Sequence, residues 1–347
     1  MKQFLHTVLC ILWAAGISAC CLVDEDMRDC QADHKLDYQL QLVTNMTTEL
    51  KTELETNLST ALDLEAAAKL KEHLSDIFTD YAHDVDLSFY DVTADSVRLH
   101  HESHIMDANQ SSYTLYIPVR QYMHLALANQ MFNGLTELEN EELCHSATLR
   151  QTVKDTIPCH KTGLFTARLP MDVKEGVDQN FDVHLYMANC ATAIVVDTTG
   201  SGIKDLKVYA TGFATDFNIC DSLYRFRYSP VVRADEVSLD IPGGMCFVTV
   251  NFPSKDIDET KSVIDTDDPF VSPSAPDPLW RIRTYTTLAD GTVTETILGV
   301  TKPLRPGQLK VIKAKVHDNG SVQPGDPTIG FSVTLDWKKG LSGEIEL

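Results

Sequence analysis

The sequence predicts a mainly β chain made of two tandem β-sandwich halves, with one helix inserted in the first. Three observations predict it. Short alternating apolar and polar runs, separated by Gly, Asp and Asn turns, fill the chain after residue 178. A pattern of strand, Ile-Pro, turn, strand and Asn occurs once in each half. It reads Leu115-Tyr116-Ile117-Pro118 with 122–129, and Leu239-Asp240-Ile241-Pro242 with 246–251. Proline at a strand end removes no needed ladder donor and starts a turn, so the repeat has a physical reason. Chance similarity of two hairpins is its competitor. The third observation is a change of period after residue 47, from two to nearly four.

Taken in order, Leu36, Tyr38, Leu40 and Leu42 share one face and Asp37, Gln39 and Gln41 the other, so 31–45 is a first strand. Leu50, Leu54, Leu58, Leu62, Leu70, Leu74 and Phe78 then recur near helical spacing. The better half is 60–80, capped by Ser59 or Asp63, and reads as a helix laid across a sheet. Val85, Leu87 and Phe89 alternate with Asp84, Asp86 and Ser88, which returns the chain to strand. Residues 113–129 read as a strand pair around a short turn. Residues 130–180 carry few strand signals and a polar loop bracketed by Cys144 and Cys159, the best local disulfide candidates. A boundary at Lys174-Glu175-Gly176 divides an N-terminal domain, 34–177, from a C-terminal domain, 178–347. In the second, strands are expected at 181–186, 193–196, 206–210 and 224–226. After an acidic, proline-rich loop at 253–278 come 280–288, 293–300, 309–316 and 330–337, with Asp290-Gly291 as a hairpin turn.

The beginning of the chain sets its address. Lys2 precedes an apolar run from Phe4 to Ile17, too short to span a bilayer comfortably, which ends in Ile17-Ser18-Ala19-Cys20. That ending resembles the bacterial lipobox, in which the cysteine is acylated and becomes the new amino terminus. Residues 1–19 then form a lipoprotein signal peptide, Cys20 the lipidated residue, and 20–33 an acidic tether containing Asp24, Glu25, Asp26 and Asp29. An ordinary signal peptide cut after Ala19 is the alternative. The formal net charge of −21, with no basic stripe to offset it, argues against a nucleic-acid partner. Of nine cysteines, seven remain once Cys10 and Cys20 are set aside, an odd number that leaves one outside any set of internal pairs.

Chemistry-bearing motifs are scarce. His100-His101-Glu102-Ser103-His104 has zinc-ligand residue types without the spacing of a known site, and a polar loop is the plainer reading. Cys144-His145 and Cys159-His160 look paired, though a disulfide with exposed histidines explains them better than zinc. Asp265, Asp267 and Asp268 alternate like calcium ligands but lack the turn glycine. The sequence holds no Gly-x-Ser-x-Gly, phosphate loop or dinucleotide fingerprint. No enzyme, cofactor or metal is expected.

The lipobox, the acidic leader with its second cysteine (Cys20, Asp24, Asp26, Asp29-Cys30), the early strand and two β-rich halves together resemble one family. It is the Bacteroidales fimbrillin-associated anchor family, the lipoprotein base subunits of type V pili. The segments 84–91 and 117–129 are also similar to that family's first domain. The resemblance implies two transthyretin-like β-sandwich domains, an outer-membrane location, and a fimbrial stalk subunit as partner. It also implies that a donated strand completes the neighbouring subunit's sheet. For an anchor held by its N-terminus, the donor candidates are C-terminal: Phe331, Val333, Leu335, Trp337, Ile345 and Leu347. The bland alternative makes 330–337 simply the last strand of its own domain. Stalk subunits of the family lose their leader after a basic residue, which draws attention to Arg28. Two other roles compete: a tip or stalk subunit, and a free-standing surface lipoprotein that binds a glycan or protein ligand. The glycan version needs exposed aromatics, for which Trp280, Tyr285 and Trp337 are the candidates.

Overall fold

The computed structural model describes residues 33–43, 60–78, 82–92, 96–105, 112–152, 155–228, 230–255, 262–264, 278–325 and 329–337. The chain is mainly β, arranged in several sheets, as the short alternating runs predict.

The first strand, β1 (Asp33–Val43), buries Leu36 and Tyr38 completely. It runs parallel to β10 (Gln179–Met187) and antiparallel to β4 (Ser112–Pro118). A second group, β2 (Asp84–Asp91), β3 (Arg98–Ile105), β5 (Gln121–Ala128) and β9 (Phe165–Asp172), pairs in the order β3-β2-β5-β9. The groups join only where Tyr186 and Met187 of β10 meet Thr166 and Phe165 of β9. The seven-stranded sheet therefore splits at this corner into two layers. Leu36, Leu115 and Val183 face Val85, Leu87 and Ala126 in one core. The strands expected as a pair at 113–129 do not pair with each other. The two-residue link after Pro118 carries the chain from one layer to the other, so β4 lies beside β1 while β5 lies between β2 and β9.

The C-terminal half has two sheets. One is β16-β17-β11-β21-β22, formed by Asp235–Val237, Gly244–Asn251, Cys190–Asp197, Leu309–Val316 and Val322–Pro324 respectively. Its central β11 is apolar on both faces, as a strand covered on both sides must be. The other is β23-β20-β19-β12-β15-β8, formed by Ile329–Trp337, Val293–Val300, Trp280–Leu288, Ile203–Thr211, Val231–Arg233 and Thr156–Ile157. Leu239-Asp240-Ile241-Pro242 falls in the connection between β16 and β17, not in a strand, so the internal echo is local and does not extend to the pairing.

Helix α1 (Ala61–Ile77) is capped by Thr60, whose hydroxyl accepts from the Asp63 amide at 3.2 Å, rather than by Ser59 or Asp63. It buries Ala66, Leu70 and Leu74. A fully buried leucine contributes about 1.5–3 kcal/mol. The helix does more than lie on one sheet. At its start Asp63 pairs with Lys313 of β21 at 3.1 Å and Leu62 sits against Gly244 of β17. At its end the carbonyl of Ile77 accepts from Gly163, where an added Cβ would run into the ring of Phe165 and crowd that of Phe78. It ties the two halves together, and their apolar residues form one continuous core.

The region 130–180 holds four strands where few were expected: β6 (Thr136–Glu139), β7 (Thr148–Gln151), β8 and β9. β6 and β7 join β13 (Asp216–Asn218), β14 (Leu223–Phe226) and β18 (Ser262–Ile264) in a small sheet ordered β18-β14-β13-β7-β6. Leu149, Phe217 and Ile219 of this region cover the outer face of β2 and β5, packing with Tyr90, Leu125 and Leu127 in a second core. Three of the strands are two to four residues long, too short for alternation to show.

Candidate functional site

The two ends of the chain differ. Cys20 and the acidic tether lie outside the described residues, as do Ile345 and Leu347. The first described residue, Asp33, already belongs to β1, which has a hydrogen-bonded neighbour on each side. Phe331, Val333, Leu335 and Trp337 lie in β23, the terminal strand of its sheet. β23 pairs antiparallel to β20 from Val293↔Trp337 to Val300↔Ile329, with a register shift between Ile297 and Leu298. Among the described residues the candidate donor segment thus closes its own sheet as an edge strand. An edge presents a row of main-chain donors and acceptors that another strand can pair with.

The expected pairing of Cys144 with Cys159 is not made. Cys144 sits in a single 3-10 turn, Cys144–Ser146, with its sulfur 2.7 Å from that of Cys220, and both residues are buried. Cys159 is packed elsewhere, its thiol donating to the carbonyls of Arg233 and Val248 at 3.2 Å each, and burial pushes it up to about 12. β7 pairs with β13, which brings residues 76 apart into contact and sets Cys144 beside Cys220 rather than Cys159. His145 and Asp221 flank the pair, with His145 Nδ1 3.2 Å from Asp221 Oδ1. His160 is not exposed: it is buried, and burial pulls its imidazole down to about 3.

His100–His104 is strand, not loop. On β3, alternation puts His100, Glu102 and His104 on one face, with the two imidazoles 2.8 and 2.9 Å from separate oxygens of Glu102. Partial burial opposes the Glu102 charge, but the hydrogen bonds from both histidines outweigh it and hold its carboxyl below the usual range. The carboxylate thus already has partners. Asp265, Asp267 and Asp268 lie outside the described residues. Trp280 and Tyr285 are buried, donating to the Lys302 carbonyl at 2.9 Å and to Glu295 at 3.1 Å, so they offer no exposed platform.

A cleft the sequence did not signal lies between β9–β10 and the small sheet, with a volume of about 470 Å³. Met187, Phe217 and Phe226 give it apolar walls, Arg168 and His184 polar ones, and Tyr186 stands 61% exposed beside them. Tyr224 closes its base, its hydroxyl donating to the Ala188 carbonyl at 2.7 Å. One wall is built from β9 and β10 and the other from β13 and β14, and no local pattern links the two walls. Among the described residues no helix is long and apolar enough to cross a membrane.

No family model and no curated protein matches the sequence. Solved structures that match include fimbrial and adhesin-type proteins of Bacteroidales. A candidate polysaccharide-binding protein of Bacteroides thetaiotaomicron is 10% identical, with a TM-score of 0.48 over 84% of this chain and 98% of its own. The fimbrial anchor protein Mfa2 of Porphyromonas gingivalis is 8% identical, with a TM-score of 0.44 over 88% of this chain and 97% of its own. A fimbrial assembly protein of Parabacteroides distasonis is 10% identical, with a TM-score of 0.40 over 84% and 98%.

Proposed function

We propose that this chain is a surface lipoprotein of a fimbrial system. Lipid on Cys20 holds it to the outer membrane, and it anchors a type V fimbria whose stalk subunit it meets by strand complementation. It works as a structural joint and not as an enzyme. The observation that carries this reading is the asymmetry of the ends. The acidic tether that follows Cys20 runs directly into β1, a strand bonded on both sides, whereas β23 occupies an edge. A load applied at the tether is borne across two ladders, and the C-terminal edge is left to pair with a neighbour. Replacing Cys20 with Ala in the native cell tests it. Fibres released into the medium, with this chain at their base, are the expected result. Release of this chain alone, with fibres unaffected, contradicts it.

The cleft favours a second reading, a free-standing lipoprotein that binds a ligand. Its mixed lining and the exposed Tyr186 suit a small glycan or peptide better than the buried Trp280 and Tyr285 do. Tyr186→Ala separates the readings: it abolishes ligand capture in the second and leaves fibre attachment intact in the first.

A further inference from the structure

The structure brings two sulfurs together beside the cleft. β7 and β13 pair antiparallel at Thr148↔Asn218, and the ladder continues past its last strand pair where the Ile219 amide donates to the Ala147 carbonyl at 3.1 Å. Asn218 then clamps both turns, its side-chain amide donating to the His145 carbonyl at 2.8 Å and its oxygen accepting from the Asp221 amide at 2.7 Å. Between these clamps the sulfurs of Cys144 and Cys220 lie 2.7 Å apart, each side chain buried. The two thiols are not bonded in this structure, but their separation is shorter than unbonded sulfurs in contact can keep and longer than the ~2.05 Å of a disulfide. His145, Cys220 and Asp221 also bring ligand atoms within 4.8 Å of one another, which raises a metal as the competitor. Two sulfurs on one tetrahedral zinc, with bonds of about 2.3 Å, stand roughly 3.8 Å apart, so Cys144 and Cys220 are too close to share an ion, and an ion held by His145, Cys220 and Asp221 would leave Cys144 an unlinked thiol, which the test below reads.

We infer that Cys144 and Cys220 form a disulfide that locks the β13–β14 turn against the 3-10 turn before β7 and so fixes one wall of the cleft. The turn contributes Ile219 and Ser222 to the lining, and the Cys220 carbonyl accepts from Arg168, another lining residue, at 2.7 Å. Residue 222 in the same turn holds a left-handed conformation, φ 54°. The chemistry is thiol–disulfide exchange with an oxidant of the low-molecular-weight disulfide class. The Cys220 thiolate, favoured by hydrogen bonding from the Cys144 thiol, attacks one sulfur of the oxidant and releases one thiol. The Cys144 thiolate then attacks Cys220 Sγ and releases the second. Two protein thiols lose two electrons and two protons, and the oxidant becomes two thiols. The inference does not depend on fimbrial function, because the oxidant can be supplied in vitro.

The test refolds the full chain in a mixture of reduced and oxidised glutathione, denatures it, alkylates it without reductant, and maps the non-reduced digest. The expected result is a linked peptide pair containing Cys144 and Cys220, while Cys159, Cys190 and Cys246 are alkylated. Alkylation of both Cys144 and Cys220 overturns the inference, whether or not zinc is found with the chain, and so does a link from Cys144 to Cys159. A second measurement reads the lock itself. Refolding with reductant lowers the wild-type Tm by about 5 °C or more, and the double variant Cys144→Ser with Cys220→Ser shows no such response. Equal redox response in the two overturns it.

Discussion

Among the described residues β1 and β23 are the first and last strands and of comparable length, yet one is interior and the other an edge. β1 inserts between β4 and β10, and Leu36 and Tyr38 are fully enclosed. β23 has β20 on one side and ends its sheet. The physical lesson is that a strand's strength is set by how many ladders and side-chain layers hold it, not by its own alternation. A lipid tether attached ahead of β1 pulls on the better-held strand. A neighbouring subunit finds its template at the other end.

The largest expected effect comes from weakening the enclosed end. Leu36→Ala should cost about 2–5 kcal/mol in denaturant unfolding, since a fully buried leucine leaves both a lost transfer term and a cavity. A cost under 1 kcal/mol would mean that β1 is not the held strand.

The next effect is a pH dependence beneath β1. The Tyr38 hydroxyl donates to Nε2 of His124, whose Nδ1–H donates to the Ser88 carbonyl at 3.0 Å, so the ring is held neutral between the two layers. Burial pulls His124 down to about 4. The unfolded chain therefore binds the proton first as pH falls, so stability is full above about 6.5 and is lost progressively towards 4. His124 alone accounts for about 3 kcal/mol of that loss. The buried His160 acts with the same sign. His124→Gln should therefore flatten roughly half of the slope, measured by urea unfolding between pH 4 and 7.

The smallest effect concerns the helix that ties the halves. Thr60→Ala removes one cap and should cost about 1 kcal/mol without loss of fold, by thermal unfolding. A larger loss would assign the helix a share of the N-terminal core beyond its packing.

Much of this architecture is legible in the sequence where one face is wet. β1, β2 and α1 declare themselves because Leu36, Tyr38 and Leu40, or Leu70 and Leu74, recur at the period of their element. β3 does not, because Arg98-Leu99-His100-His101 places polar residues on both faces of an edge strand. β6 to β8 are too short to show a period, and their partners are tens of residues away. The same distance hid the Cys144–Cys220 contact and the cleft. Trp280 and Tyr285 misled as binding aromatics because a buried aromatic with a hydrogen-bonded tip reads the same in sequence as an exposed one.

The most direct test of the asymmetry compares two sheet edges in living cells. A photo-crosslinking residue is placed at Thr334 in β23 or at Tyr116 in β4, the exposed edge strand of the N-terminal half. Irradiation should give an adduct with a fimbrial subunit from position 334 and none from 116. An adduct from 116 with none from 334 would place the joint on the tethered half and contradict the assignment of the C-terminal edge.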